Sequence, residues 1–479
     1  MKPRSFHAAF VCLGLGLLAR PSSGWEAVTT HAGLTEQAAL ASTLHTRLIR
    51  DHGHLRGLFQ PLTIPPADAP ELFQVVSQLN PIHGYVPDAR GRLTAIGWLV
   101  AGSVMADSTE GLAAQHFFNV EDGRGLDPDD LGNLAARLRH RLLAALSRHR
   151  LPPKGAAAPD WIMNPANPMG LAGFQSQYAK SISARTPAER ERHLAGALLA
   201  AGAMLHVLQD MGSPSHVRGD VRAHFDRLGP DPSDTGSRFE HIAALAFGRL
   251  GVPAPGSIES DRPLRAFFTA EDETGLADRT ARSWFSAYTL PGNLDLGRDP
   301  LHAIRERLPG TLARKSPAPP PHLDIMRARE GHARIETASG VCLANYHVDS
   351  RRLSWSIQDT CAVEQLASIL PTVAGYSGGL LETLFRGSMS FDVAPAQTAI
   401  RAGSVALGAG TLTVFADDSL GIRSKVFEAK VSSARAGAAF ATLPGVPDGT
   451  HRLAALFEGQ DASGRPLIAT GVADLTAAP

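Results

Sequence analysis

The chain has 479 residues, 44% of them hydrophobic and 19% charged. It is longer than one ordinary domain, can bury a sizeable core, and is not disordered as a whole. Lys and Arg (46) balance Asp and Glu (46), which excludes a strongly basic nucleic-acid binder, though not a metal-dependent enzyme that cuts nucleic acid. Three cysteines exclude a disulfide-dense scaffold and a four-cysteine zinc site, while 19 histidines leave room for imidazole–carboxylate metal sites.

Lys2 and Arg4 precede an uncharged apolar run over residues 8–18, too short to span a bilayer. Ser22 and Gly24 stand at the −3 and −1 positions of a cleavage site. Residues 1–24 are therefore expected to be a secretory signal cut before Trp25, with an uncleaved anchor as the alternative. No lipobox surrounds Cys12. Loss of Lys2, Arg4 and Arg20, with no acidic residue among the 24, leaves a net charge near −3 and an exported chain, secreted or periplasmic. In an oxidising compartment Cys342 and Cys361 are expected to pair, closing a short loop worth about 3 kcal/mol. Two buried free thiols are the alternative.

Residues 30–60 read as a helix capped at Thr30, with Leu40, Leu44, Leu48 and Ile49 as its apolar stripe. Residues 91–106 form a second apolar segment, ending at Asp107. Residues 130–150 are amphipathic, with Leu131, Leu134, Leu138, Leu142, Leu143 and Leu146 at helical spacing and Pro152 and Pro153 as the stop. Residues 188–209 give the strongest helix, rich in Ala and Leu and expected to be buried. Residues 314–322 are a proline-rich connector. Residues 334–357 alternate around a turn at Asp349 and Ser350, as a hairpin does, and residues 362–385 return to helical spacing. From 388 to 479, short alternating runs split by Gly, Pro and Asp predict a β-sandwich of about seven strands. The expected fold is thus mainly α, multi-helical over residues 25–387, followed by a C-terminal β-sandwich domain over residues 388–479.

His206 and Asp210 stand four apart, so both leave one face of the buried helix. A polar pair on so apolar a helix needs a partner, and a metal ion is one candidate. His216 follows in MGSPSHVRGD, where a capped helix end with a core histidine is the alternative. Further along are Trp25 and His31 in WEAVTTHAGLT, Asp107 and His116 in MADSTEGLAAQHFFNVEDG, and Glu240 in TGSRFEH. Together these segments resemble the zinc-dependent phospholipase C family, which includes bacterial alpha-toxins and shares its fold with fungal single-strand nucleases. LHVLQDMGSPSH is similar to that family's ligand-bearing helix and turn, AQHFFNVEDG to its His-aromatic-aromatic segment, and the Trp with a nearby T-H-A to the alpha-toxin start.

The resemblance implies up to three Zn²⁺ ions in a cleft of a helical domain. Trp25, through its α-amine and carbonyl oxygen, and His31 would hold one, with Asp210 bridging it to a second. Asp107, His116 and His206 would complete the second, and His216 and Glu240 would hold the third. Asp107 would also orient a water or accept its proton. The family places a histidine four residues before the final carboxylate; here Gly236 stands there, and Asp220 or His224 is the candidate replacement. Positions expected to form a choline cage are Val28, Ser108 and Ala113, which lack its charge and aromatic faces. The expected function is a phospholipase C-like phosphodiesterase acting as a monomer on phospholipid or a membrane surface. Single-stranded nucleic acid is the alternative substrate, and a non-catalytic zinc-stabilised binding protein the alternative role.

Other residues carry less. Trp284, Phe285 and Tyr288 line a cleft or fill a core. His45, His52, His54 and His347 match nothing, and Asp417, Asp418 and Asp461 read as turn aspartates rather than calcium ligands.

Overall fold

The computed structural model describes residues 25–76, 86–108, 110–127, 154–228, 235–295, 333–349, 351–394 and 397–475. The export signal, the helix expected over 130–150 and the connector at 314–322 lie outside them.

The chain enters through a π-helical turn, Ala27–His31, and continues directly into α1 (Ala32–Ala41). This corrects the expected single helix over 30–60 and its cap at Thr30, which is buried inside the π turn. The helix stops because Ser42 is extended (φ −82°, ψ 168°) and because Glu382 takes the Thr43 main-chain N–H and hydroxyl at 2.5 and 2.6 Å. A separate short helix, Leu44–Arg50, follows.

The second apolar segment divides in two. Arg92–Thr94 pairs antiparallel with Pro61–Thr63, and Thr94 Oγ1 then accepts from Gly97 N–H as the cap of α2 (Ala95–Met105). Only Val104 of α2 is not fully buried. Later come α3 (Leu171–Ser183) and the long α4 (Pro187–Asp210). Thr186 and Glu189 close a capping box at the start of α4, with Pro187 in the first turn. From Ala200 to its end every residue of α4 is buried. α5 (Arg238–Ala246) starts from a Ser237 cap. α6 (Asp359–Leu384) begins three residues earlier than expected and packs on α1.

The hairpin at 334–357 is observed as β1 (Cys342–Asp349) with β2 (Arg352–Ser356), flanked by Arg334–Glu336 and Leu294–Asp295. Cys342 and Cys361 are disulfide-bonded, tying β1 to the first turn of α6.

Seven strands follow: β3 (Gly387–Val393), β4 (Thr398–Ala402), β5 (Leu407–Asp417), β6 (Arg423–Val431), β7 (Ala439–Leu443), β8 (Arg452–Asp461) and β9 (Pro466–Asp474). The number matches the expectation, but the pairing is one continuous sheet, β6-β5-β8-β9-β3-β4-β7, rather than two separately bonded sheets. All neighbours are antiparallel except β9 with β3. Leu412, Val414, Leu453, Ala455, Phe457, Leu467 and Ala469 share one core with Met389, Ile400 and Leu443, so the sheet folds over on itself. The opposite-facing residues Phe415, Ala454, Leu456 and Ile468 belong to the helical core. Strands β8 and β9 are therefore buried on both faces, which explains their continuous apolar runs.

Candidate metal centre

Helix α4 supplies the first two groups. His206 and Asp210 are one turn apart and wholly buried, with Gly202 one turn earlier on the same face. Asp107 sits just beyond the end of α2, and His116 lies beyond the short helix Glu110–Ala113. His116 is placed by main-chain bonds that run residues 118–120 alongside His216 and Val217 (Phe118 N–H to His216 O, 3.1 Å; Val120 N–H to Val217 O, 3.1 Å). His216 lies in the turn of helix Pro214–Val217, and its Nδ1 meets His116 O at 2.9 Å. That bond leaves His216 Nε2 to face Glu240, in the first turn of α5.

Four of these side chains form a compact polyhedron. His116 Nδ1 lies 3.2 Å from His206 Nε2, 3.2 Å from Asp107 Oδ1 and 3.0 Å from Asp210 Oδ2. His206 Nε2 lies 3.5 Å from Asp107 Oδ2 and 3.4 Å from Asp210 Oδ2. A tetrahedron with metal–ligand bonds of about 2.0–2.1 Å has edges of about 3.3 Å, so these spacings fit a Zn²⁺ ion at the centre. The other oxygen of Asp210, Oδ1, faces His31 Nε2 at 3.2 Å. Asp210 thus looks both ways, as a bridging carboxylate does. The grouping His31, Asp107 and His206 also falls within ligand spacing.

The third group is His216, His224 and Glu240, all buried. His216 Nε2 is 3.4 Å from Glu240 Oε1, and His224 Nδ1 is 3.8 Å from Glu240 Oε2. Gly236 lies on the two-residue strand Thr235–Gly236 and offers no ligand; His224, from the 3₁₀ turn Val221–Phe225, enters instead. Asp220 is used differently: its Oδ1 accepts from Ala223 N–H at 3.3 Å and its Oδ2 from Tyr288 N–H at 2.9 Å. It shapes the turn that carries His224.

Buried polar atoms are normally hydrogen-bonded. Here His31 Nε2, His116 Nε2, His216 Nε2, both His224 nitrogens, both oxygens of Asp107 and of Asp210, and Glu240 Oε2 have no hydrogen-bond partner. Such a concentration of unpartnered nitrogen and oxygen atoms suits zinc, although for His116 it is Nε2 that is unpartnered while the Nδ1 at ligand spacing meets His206 Nε2.

The electrostatics agree. Burial disfavours a charged His206, but Asp107 and Asp210 outweigh it and raise its pKa to about 10. Burial likewise opposes His216, and Asp210 with Glu240 raises it to about 9. Burial works to raise the three carboxylates, yet His206 and His116 hold Asp107 down, His216 and His206 hold Asp210 well down, and His224 and His216 lower Glu240. Burial and neighbouring His206 lower His31, and burial lowers His224 to about 4. The site attracts cations strongly while two of its nitrogens stay unprotonated.

Trp25 is fully buried beside this centre, its indole N–H donating to Gln209 O at 2.8 Å. Sequence reasoning missed Gln209, whose side chain meets His31 Nδ1 at 2.7 Å; an amide in the buried, Ala- and Leu-rich half of the helix, next to a candidate ligand, was the available clue. Trp284 and Phe285 are buried, whereas Tyr288 is exposed under the Arg222 guanidinium, 4.0 Å from its ring centroid. His52 is buried, His54 half-buried and His347 exposed. Asp417 is held by Arg423 at 2.6 and 2.7 Å, Asp418 by the Leu420 and Ile422 N–H groups at 2.9 Å, and Asp461 by Arg465 and Arg386 at 2.8 and 3.1 Å.

No protein-family model matches the chain, and no curated protein matches it. A solved alpha toxin from Clostridium absonum aligns over 95% of this chain and 97% of its own, at 13% identity and a TM-score of 0.27. At that TM-score the likeness assigns neither fold nor function.

Proposed function

We propose that the chain is an exported, zinc-dependent phosphodiesterase of the phospholipase C kind, with residues 1–24 as its export signal, 25–387 as the catalytic body and 388–479 as an appended β domain. The observation that carries this reading is the convergence of His31, Asp107, His116, His206, Asp210, His216, His224 and Glu240, mostly unpartnered, at the spacing of metal ligands. Zinc held there would supply Lewis acidity toward phosphoryl oxygens and make water nucleophilic at neutral pH.

The chain's own part is positional and electrostatic. Asp210 spans two ligand groups, and the Nδ1 contacts of His31 and His216 set which ring nitrogen faces inward. Asp107 is held well below the ordinary carboxylate range, which makes it a weak base. Its role is ligand and orienting acceptor more than proton store. Phospholipid is preferred over single-stranded nucleic acid because the chain carries no excess of basic residues to neutralise a polyanion.

The test uses the chain started at Trp25 and reconstituted with zinc. Metal is counted, and hydrolysis of phosphatidylcholine, anionic phospholipids and single-stranded DNA is measured side by side. Two or more zinc ions per chain, with lipid turnover lost to a chelator and restored by zinc, is expected. A folded chain that takes up no zinc overturns the proposal, and turnover of DNA alone moves the substrate to nucleic acid. Hydrolysis unaffected by an extra residue ahead of Trp25 removes its amine from the ligand set.

A further inference from the structure

Gln209 is fully buried, one residue before Asp210, in the stretch of α4 where every residue is buried. An amide there is costly unless its groups are paired. Both side-chain contacts reach the N-terminal segment, and the main-chain oxygen, which also accepts from Gly212 N–H at 2.8 Å, adds a third link to it. Gln209 Oε1 faces His31 Nδ1 at 2.7 Å, Nε2 donates to Thr35 Oγ1 at 3.0 Å, and the main-chain oxygen accepts the Trp25 indole N–H at 2.8 Å.

These contacts decide the state of His31. With the amide oriented so that Nε2 meets Thr35 Oγ1 and Oε1 faces the ring, His31 Nδ1 is the donor and carries the proton. In a neutral ring, Nε2 then holds a bare lone pair. That lone pair faces Asp210 Oδ1 at 3.2 Å, and neither atom has a hydrogen-bond partner. Two acceptors at that distance repel unless a cation lies between them.

We propose that Gln209 is a positioning residue: it fixes His31 in the tautomer whose Nε2 can ligate, and it pins residues 25–35 to the end of α4 so that His31 and Asp210 close on one divalent cation. The inference rests on the metal reading above and specifies how one site of that centre is assembled.

Three variants test it. Gln209→Met keeps the length and removes the acceptor, Gln209→Asn keeps the amide but withdraws it, and Gln209→Glu keeps an acceptor oxygen. Zinc affinity is measured by competition with a fluorescent chelator, and zinc content by mass spectrometry. The ring-nitrogen ¹⁵N shifts of His31 are recorded in histidine-labelled, metal-free protein. Gln209→Met and Gln209→Asn should each weaken one zinc by about 10–100-fold, leave the zinc at His216, His224 and Glu240 in place, and lose the protonated-Nδ1 signature. Gln209→Glu should keep that signature and most of the affinity. Affinity within threefold of wild type in Gln209→Met, an unchanged tautomer, or a Gln209→Glu variant as impaired as Gln209→Met would overturn the proposal. A wild-type chain that binds no zinc defeats the metal reading instead, and the His31 shifts still decide what Gln209 does. If Gln209→Met does not fold, Gln209→Asn and Gln209→Glu carry the comparison.

Discussion

The centre depends on how closely α2 and α4 cross, and Gly202→Ala tests that dependence. A Cβ at Gly202 would lie 1.9 Å from Leu99 O and 2.9 Å from Ser103 N; one at Gly102, on the facing helix, would lie 2.1 Å from Leu199 O. Both obstacles are backbone, so relief requires the helices to part by about 1.5 Å to restore ordinary contact. Alanine gains about 1 kcal/mol of helix propensity over glycine, while overpacking costs about 1–3 kcal/mol. Separating two long buried helices lies toward the upper end, so the net effect is a loss of about 1–2 kcal/mol. The separation would also fall between Asp107, beyond α2, and His206 and Asp210 on the Gly202 face of α4, where zinc tolerates about 0.2 Å. Gly196→Ala, on the same helix, is the control, because its Cβ would meet only the end of the Gln177 side chain at 3.1 Å. Thermal melting and zinc content are the assay. Gly202→Ala should melt several degrees lower and load less zinc, while Gly196→Ala should match or exceed wild type. A Gly202→Ala protein with wild-type melting and full zinc would refute the reasoning.

Asp210→Asn removes the carboxylate that faces both His31 and the His116–His206 pair, so zinc content should fall by at least one ion per chain and hydrolysis by more than tenfold. His224→Ala should remove one zinc per chain, whereas Asp220→Ala, which strips the Ala223 and Tyr288 N–H groups of their acceptor, should lower the melting temperature more than it lowers zinc content at neutral pH. In the metal-free protein, His206 and His216 are raised to about 10 and 9, so their stabilisation is full below the unfolded value of about 6.5 and is lost as pH rises through 9–10. The lowered Asp107, Asp210 and Glu240 act oppositely, stabilising above about pH 4 and failing in acid. Urea denaturation of the metal-free chain should therefore show stability declining from pH 6.5 to 10, a decline that zinc suppresses; a flat profile in both forms contradicts the assignment. Arg423→Met leaves Asp417 buried without its bidentate partner and should destabilise the contact of the C-terminal sheet with α3 by about 3–5 kcal/mol, visible as faster proteolysis near residue 386.

What the sequence made legible follows the range of the forces involved. α4 was readable because its determinants are local: an Ala- and Leu-rich body and a four-residue spacing that sets His206 and Asp210 on one face, with the start that Thr186 and Glu189 set read one residue late. The break after α1 was not, since the group that satisfies Thr43 is Glu382, 339 residues away. The stripe through Leu40 misled for the same reason; Leu40 is 51% exposed. His224 could be named only as one of two candidates for the ligand missing at Gly236, because its approach to His216 and Glu240 depends on a turn built by Asp220 and anchored to Tyr288. In the C-terminal sheet, the count of strands was local information, while β8 begins RLAALF because one face meets the sheet's own core and the other the helical body.

The same ligand cluster must be tolerable before any metal arrives. Protons on His206 and His216 offset part of the charge of Asp107, Asp210 and Glu240, so a metal-free chain can fold around them. Metal binding would replace those protons with divalent ions, since a histidine must be neutral to ligate. Such an exchange would turn a cluster that attracts cations into one that attracts phosphate. The segments that bring it together are already fixed by independent means: residues 118–120 by main-chain bonds to His216 and Val217, His31 by Gln209, and Glu240 by hydroxyl bonds from Ser213 and Ser215. A scaffold held in this way fixes the ligand spacing, and a metal bound there would determine the charge that a substrate meets.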